Sequence, residues 1–140
     1  MYLRLLVAAG LSFGLDRVTK MLVSRGLAVG QSVAVTSWLT IRRVVPAPGL
    51  ALFRQPRQQL LVLAALLGGI CLIVWHGRFF QRPAAQLGLG LALGGVASNV
   101  YDQFRHGAVT DFLDLGWWPV FNLADAAITL GVITALWFFY

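Results

Sequence analysis

The chain of 140 residues is 59% hydrophobic and only 11% charged. Soluble domains carry about 25% charged residues, so this composition excludes a soluble globular protein, a disordered chain and a disulfide-rich secreted scaffold. Eleven basic residues face five acids, all of them aspartates, and the net charge is +6. The sequence lacks the basic stripe on a soluble module that would indicate nucleic-acid binding. We therefore attribute the excess of basic residues to contact with anionic membrane phospholipids.

Four apolar stretches predict four transmembrane helices. The predicted spans cover residues 3–24, 58–75, 83–102 and 119–140. A bilayer crossing needs about 20 apolar residues, so a chain of this length has room for at most four or five. Pro119 favours a helix start near that position. The sequence therefore predicts an all-α membrane protein with one integral membrane domain over residues 1–140.

The segment between the first two spans has a different pattern. Residues 32–45 are rich in β-branched side chains with partial alternation, which predicts two short strands in a β-rich segment of about 32–54. Strands with open edges are not viable in lipid. We therefore expect a small extramembrane β-sheet between helices 1 and 2.

Two aspartates, Asp111 and Asp125, are candidates for catalysis. Asp111 lies in the loop after the third span, and Asp125 falls about two turns inside the predicted fourth helix. The short connection lets the two carboxylates meet, and two poorly solvated carboxylates share a proton. An aspartic protease uses this arrangement, in which one carboxylate activates water and the protonated one polarises the scissile carbonyl. The sequence does not assign the two roles.

The other aspartates are expected to have supporting or structural roles. Asp16 and Lys20 are four residues apart, which predicts an ion pair at the end of the first helix, with Lys20 extending to the interface. Asn99 and Asp102 share a face of the third span, where an asparagine indicates a polar site or an interhelical hydrogen bond. Asp114 lies in a loop-like stretch and is expected to stay solvated.

Small residues recur at every fourth position of the third span, at Gly90, Gly94 and Ser98. This spacing lets another helix approach closely and predicts helix packing. The chain has no metal-ligand spacing of His and Cys, no Gly-rich phosphate loop and no serine-nucleophile motif, so we expect no cofactor and no metal.

Four motifs in order resemble the lipoprotein signal peptidase (type II signal peptidase) family of bacteria. They are Asp16-x-x-Thr19-Lys20, Gly94-Gly95-x3-Asn99-x2-Asp102, Gly107-x-Val109-x-Asp111-Phe112 and Phe121-Asn122-x-Ala124-Asp125. The resemblance implies four transmembrane helices in the bacterial cytoplasmic (inner) membrane, with the β-sheet and the active site at the outer, periplasmic face. A raw count of basic residues favours the opposite orientation. The implied activity is removal of the signal peptide from diacylglyceryl-modified prolipoproteins, just before the lipidated cysteine.

The resemblance also implies site residues and partners. By position, Asp111 and Asp125 match the catalytic pair of the family. The expected substrate-binding or supporting residues are Asn99, Asp102, Asn122, Gly49 and Arg105. The expected partners are lipid-modified prolipoproteins, membrane phospholipids and cyclic lipopeptide inhibitors.

Two positions depart from the family pattern. Ala47 stands where the family has the asparagine of an Asn-x-Gly-x-Ala motif, and Gln103 stands where the family has an arginine. Arg105 is the candidate replacement for that arginine. These departures motivate an alternative function, a non-cleaving paralogue that binds lipopeptides or lipopeptide-like antibiotics. A proton or ion carrier is disfavoured because residues 60–75 offer no polar relay.

Overall fold

The computed structural model describes residues 2–44, 62, 65, 66, 68–70, 72 and 82–138. Within these ranges the helices are α1 (Leu3–Gly26), α2 (Pro83–His106) and α3 (Leu123–Trp137). The strands are β1 (Ser32–Ala34), β2 (Thr40–Arg42) and β3 (Leu113–Asp114). The described residues between 62 and 72 are also helical, while most of the predicted second span and residues 45–54 lie outside the described residues.

The first, third and fourth predicted helices are present, with different ends. Helix α2 begins at Pro83, as predicted, but continues past residue 102 to His106. No helix in the described part of the chain has both the length and the apolar content needed to cross a membrane.

The fourth helix begins later than predicted, because its start is fixed by a capping box and not by Pro119. The side chain of Asn122 accepts a hydrogen bond from the backbone N–H of Asp125, and the Asp125 carboxylate accepts one from the backbone N–H of Asn122. This reciprocal pair satisfies two backbone donors that a helix start leaves free. Asp125 therefore lies in the first turn of α3, and its predicted position two turns inside the helix is wrong.

The sheet contains the two predicted strands and a third strand that was not predicted. Strand β2 pairs antiparallel with both β1 and β3, so the order is β1-β2-β3. Strand β3 has only two residues, too few to show an alternating pattern. It joins the segment after α2 to the hairpin after α1, and Arg42 of β2 donates its backbone N–H to the carbonyl of Phe112. The residue next to Asp111 is thereby fixed to the sheet.

Asp114 is buried in β3, so the expectation that it stays solvated is wrong. Its carboxylate lies 2.8 Å from the guanidinium of Arg42 on the neighbouring strand and accepts the backbone N–H of Gly116. Strand pairing removes this carboxylate from water and supplies a cation in return.

Helix α2 packs between α1 and α3, and two adjacent glycines allow both contacts. A methyl group on Gly95 would lie 2.6 Å from the carbonyl oxygen of Ala124 in α3, and one on Gly94 would overlap the carbonyl of Ala9 in α1. Side chains at both positions would push the helices apart. The predicted packing role of the small residues is confirmed, and the close approach brings the polar residues of all three helices together.

Candidate active site

The ion pair predicted between Asp16 and Lys20 is present, but it lies inside the protein. Lys20 Nζ is 2.6 Å from Asp16 Oδ2, and the two residues are 3% and 0% exposed. Asp16 also accepts hydrogen bonds from the hydroxyl of Ser98 in α2 and the backbone N–H of Ala124 in α3. The expectation that Lys20 extends to the interface is wrong, because its acceptors come from its own helix and from α2 inside the protein.

Lys20 uses all three of its N–H donors inside the protein. Besides Asp16, its ammonium contacts Asp102 Oδ2 at 2.8 Å and Asn99 Oδ1 at 3.0 Å. An ammonium group has three donors and no acceptor, so these contacts satisfy it completely. Lys20 therefore joins α1 to two polar residues of α2.

Asp102 joins the helices to the loop that contains Asp111. Its Oδ1 pairs with the guanidinium of Arg17, and its Oδ2 accepts both from Lys20 and from the backbone N–H of Thr110 at 3.3 Å. Thr110 immediately precedes Asp111. The position of the candidate catalytic loop thus depends on a carboxylate that is itself held by two cations.

The contact with Lys20 fixes the orientation of the Asn99 amide. Because an ammonium group can only donate, the carbonyl oxygen of Asn99 faces Lys20, and its NH₂ group then points towards α3. There Asn99 Nδ2 donates to Asp125 Oδ1 at 2.9 Å. Asp125 accepts a second bond, from the backbone N–H of Asn122 to Oδ2 at 3.2 Å.

A single asparagine contacts both candidate catalytic carboxylates. Asn122 is fully buried, and its side-chain oxygen accepts the backbone N–H of Asp125 at 2.8 Å. Its Nδ2 therefore faces the other way and donates to Asp111 Oδ1 at 2.8 Å. The backbone N–H of Asn122 donates to Asp125 Oδ2, so this one residue contacts the carboxylates of Asp111 and Asp125, which the sequence predicts to meet.

Burial and the neighbouring charge of Asp125 raise the pKa of Asp111 from 3.8 to about 7. The hydrogen bond from Asn122 and the charge of Lys20 act in the opposite direction but are smaller. The Oδ2 atom of Asp111 accepts no hydrogen bond from any residue that the structure describes, so it is available to hold a proton. Asp111 can therefore hold a proton near neutral pH, next to a second aspartate whose charge favours that proton.

The two remaining candidate residues lie elsewhere. Arg105 is exposed near the end of α2 and contacts no member of the cluster. Gly49 and Ala47 lie outside the described residues. The arginine that reaches Asp102 is Arg17, whose guanidinium also stacks 4.5 Å from the ring centre of Tyr101.

Sequence reasoning did not identify Arg17, the hydroxyl of Ser98 or the backbone of Thr110 as part of this cluster. Arg17 lies between the motif residues Asp16 and Thr19, a position that gives no separate signal. Ser98 was assigned only to helix packing, although a small polar residue can serve both purposes. Backbone donors such as Thr110 leave no mark in a sequence.

The site can supply a proton and accept a proton at two aspartates that are partly buried. This pairing suits hydrolysis of an amide, where water must lose a proton and the carbonyl oxygen must gain one. Within the described residues, no group of three or more His, Cys, Asp or Glu side chains is arranged to hold a metal ion.

The fold is similar to that of two solved proteins. Two solved bacterial membrane enzymes, both determined by the in meso method, match 94% of this chain with TM-scores of 0.78 and 0.75. The matches cover 84% and 89% of those chains at 24% and 23% identity.

Sequence comparison identifies the family. The family model described as signal peptidase (SPase) II matches residues 8–140. The lipoprotein signal peptidase of Rhodococcus jostii (strain RHA1) is 36% identical, over 94% of this chain and 69% of that protein. Those of Mycolicibacterium smegmatis and Syntrophomonas wolfei are 38% and 37% identical, over 92% and 87% of this chain and 57% and 83% of theirs. The chain therefore belongs to the signal peptidase II family.

Proposed function

We propose that this chain is an aspartic endopeptidase that removes the signal peptide from diacylglyceryl-modified prolipoproteins, cutting before the lipidated cysteine. The observation that supports this most directly is the joint contact of Asn122 with Asp111 and Asp125. The substrate class follows from the family and from relatives that are named lipoprotein signal peptidases. Asn99, Asn122 and Asp102 hold the pair in position, and no cofactor is needed for this chemistry.

The hydrogen bonds support different roles for the two aspartates. Both oxygens of Asp125 accept N–H bonds, an arrangement that suits an ionised carboxylate, whereas Oδ2 of Asp111 has room for a proton. Asp125 then acts as the base that takes a proton from water. Asp111 gives its proton to the scissile carbonyl oxygen as the water oxygen attacks the carbonyl carbon. The proton held by Asp125 passes to the leaving nitrogen as the C–N bond breaks, and Asp111 takes back a proton from one hydroxyl of the tetrahedral intermediate as the carbonyl re-forms.

The decisive experiment is cleavage of a diacylglyceryl-modified precursor peptide by the purified protein. Asp111→Asn and Asp125→Asn should each lower kcat by about 10²- to 10⁴-fold, the usual contribution of a general acid or base. Asp114→Asn is the matched control, because it also removes a buried aspartate but one that pairs with Arg42 in the sheet. We expect this control to keep most of its activity.

Two outcomes would contradict the proposal. Retention of wild-type turnover by either Asp111→Asn or Asp125→Asn would remove the assigned pair. A wild-type protein that binds a cyclic lipopeptide but leaves the precursor intact would instead support the non-cleaving alternative.

We also propose that the chain resides in the bacterial cytoplasmic membrane, with the site near the outer face. Large hydrophobic side chains are exposed along α1 and α3, among them Leu3 and Leu6 in α1 and Leu130 and Leu136 in α3. Apolar surface of this extent is typical of contact with lipid or another protein. Expression of a Trp117→Cys variant tests the orientation, because Trp117 is exposed in the loop after β3. An impermeant thiol reagent should label it in intact spheroplasts, and labelling only after permeabilisation would reverse the orientation.

A further inference from the structure

The loop between β1 and β2 carries an exposed tryptophan. It covers residues 35–39, where the backbone N–H of Val35 donates to the carbonyl of Leu39 at 2.9 Å. Trp38 lies in this loop, beyond the last residue pair of the two strands, and is 65% exposed. Its indole ring therefore lies largely uncovered at the end of the sheet.

A second loop with exposed tryptophans lies beside the first. Strand β3 runs antiparallel to β2, with Asp114 opposite Thr40, so the chain leaves β3 at the end of the sheet where the first loop lies. The chain returns to pair with β3 at Phe121. The connecting loop carries Trp117 and Trp118, which are 79% and 55% exposed. The strand register thus places three tryptophans at one end of the sheet, and we call these two loops the tryptophan tips.

The composition of the tips favours an environment with both apolar and polar groups. Residues 35–39 read VTSWL and residues 115–120 read LGWWPV, without a charged side chain. The rings of Trp117 and Trp118 meet edge to face with their centres 5.7 Å apart, and this contact leaves most of their surface uncovered. In the part of the chain that the structure describes, none of the three indole N–H groups donates a hydrogen bond to the protein. Such a ring is most stable where its apolar surface leaves water and its N–H still meets an acceptor.

Strand β1, next to the first tip, has the same two requirements. Among the described residues it pairs only with β2, so its outer edge presents unpaired backbone groups. These groups need water or lipid headgroups as partners and are not tolerated in hydrocarbon. Val33 of β1 and Val35 of the tip are 51% and 54% exposed, and their burial in an apolar phase is favourable. Both requirements are met where the acyl chains of a bilayer border the headgroups and water.

We propose that the tryptophan tips are a docking surface for the lipid–water interface, with the three indole rings at the boundary between phospholipid headgroups and acyl chains. This inference rests on the proposed membrane location and adds a lipid contact made by the sheet. At this boundary the apolar rings leave water, while their N–H groups donate to phosphate or carbonyl oxygens of the lipid. The headgroup layer is polar and hydrated, so the tips stay within reach of small water-soluble reagents.

Tryptophan fluorescence in vesicles tests the proposal. The chain has five tryptophans, and three variants each keep only Trp38, Trp117 or Trp118, with phenylalanine at the other positions. Each protein is reconstituted in phosphatidylcholine vesicles that carry bromine, a quencher of indole, either high or low in the acyl chains. All three indoles should be quenched more strongly by the bromine nearer the headgroups. Their depth should be about 15 Å from the bilayer centre, the edge of a hydrocarbon core about 30 Å thick. Stronger quenching by the deeper bromine would overturn the proposal.

A tryptophan on α3 separates failure of this proposal from failure of the membrane location. Leu130 is 60% exposed near the middle of α3, and Leu130→Trp is made in a protein whose five native tryptophans are replaced by phenylalanine. Its indole should be quenched best by the deeper bromine. If this reporter is quenched by lipid while Trp38, Trp117 and Trp118 are quenched only by acrylamide dissolved in the water, the tips face water and the proposal is overturned while the membrane location stands. If brominated lipid quenches none of the four reporters, the membrane location fails, and the docking surface fails with it.

Discussion

The buried polar cluster has two halves. Each half contains two aspartates, but the partners of the aspartates differ between the halves. In what we term the cation half, two aspartates contact an ammonium and a guanidinium group; its members are Asp16, Asp102, Lys20 and Arg17. In the amide half, two aspartates receive hydrogen bonds from asparagine side chains; its members are Asp111, Asp125, Asn99 and Asn122. The two halves meet where Lys20 contacts Asn99.

The difference shows how one protein can keep some carboxylates inert and make others reactive. Ions of opposite sign neutralise the aspartates of the cation half, so the charge there is balanced. An amide offers a hydrogen bond but no charge, and the amide half is left with two carboxylates in a poorly solvated place. A shared proton restores the balance, and a mobile proton is what hydrolysis requires.

Lys20→Met should have the largest effect on stability, because it removes the cation that both aspartates of the cation half share. Truncation of one partner of a buried ion pair costs about 3–5 kcal/mol. Thermal unfolding in a single detergent measures the loss. Asn99 also loses the contact that orients its amide, so peptidase activity should fall as well.

Arg25→Met is the control for the loss of a positive charge from α1. Arg25 lies exposed in the last turn of the same helix, and a surface substitution of this kind should change stability by less than about 0.5 kcal/mol. If the two variants melt at the same temperature, the ion pairs of Lys20 contribute nothing to the stability of the fold. The two halves would then not differ in how much they stabilise the protein.

Gly95→Ala should damage the amide half without changing any polar group. The added methyl would lie 2.6 Å from the carbonyl oxygen of Ala124, so α2 and α3 must move apart at a cost of about 1–3 kcal/mol. Asn99 lies one turn further along α2 and would move away from Asp125, lowering kcat. Gly14→Ala is the control, because the added methyl meets no neighbouring helix within 4 Å, and it should stabilise α1 by about 0.5–1 kcal/mol.

The protonation of Asp111 should be visible in the pH dependence of activity and stability. Since its pKa is about 7, the acid form is lost above that pH, and kcat should fall about tenfold per pH unit.

The same carboxyl group affects stability. The folded protein holds a proton that the unfolded chain releases near 3.8, so the group stabilises the fold at low pH. This contribution is lost as pH rises from about 4 to 7. Melting temperatures of the wild type and Asp111→Asn, compared across this range, should diverge as pH rises, and parallel curves would contradict the assignment.

Much of the fold could be predicted from the sequence, because the length of apolar stretches and small-residue spacing are local signals. The start of α3 was missed although its signal was present: Asn122 and Asp125 have capping-box spacing, but Pro119 was given priority. The two-residue strand β3 could not be predicted, because it exists only through its pairing with β2. Asp114 was misassigned for the same reason.

The candidate site could be predicted as a set of residues but not as a set of contacts. The order of the motifs predicted that Asp111, Asp125, Asn99 and Asn122 belong to one site. The sequence could not show that Lys20 is buried, since its three acceptors come from residues up to 82 positions away, which only tertiary packing brings near. Nor could it show that Arg17, and not Arg105, approaches Asp102, because that depends on how α1 and α2 pack.

Arg17→Gln should have the smallest effect on stability, and it compares the two cations within the cation half. Arg17 and Lys20 contact the same carboxylate, but the side chain of Arg17 is 26% exposed and that of Lys20 only 3%. Water screens the more exposed pair, and Asp102 keeps Lys20 and the backbone N–H of Thr110 when Arg17 is removed. We therefore expect a loss of less than about 1 kcal/mol, measured by the same thermal unfolding. A loss as large as that of Lys20→Met would mean that the number of cations, and not their burial, determines the stability of this half.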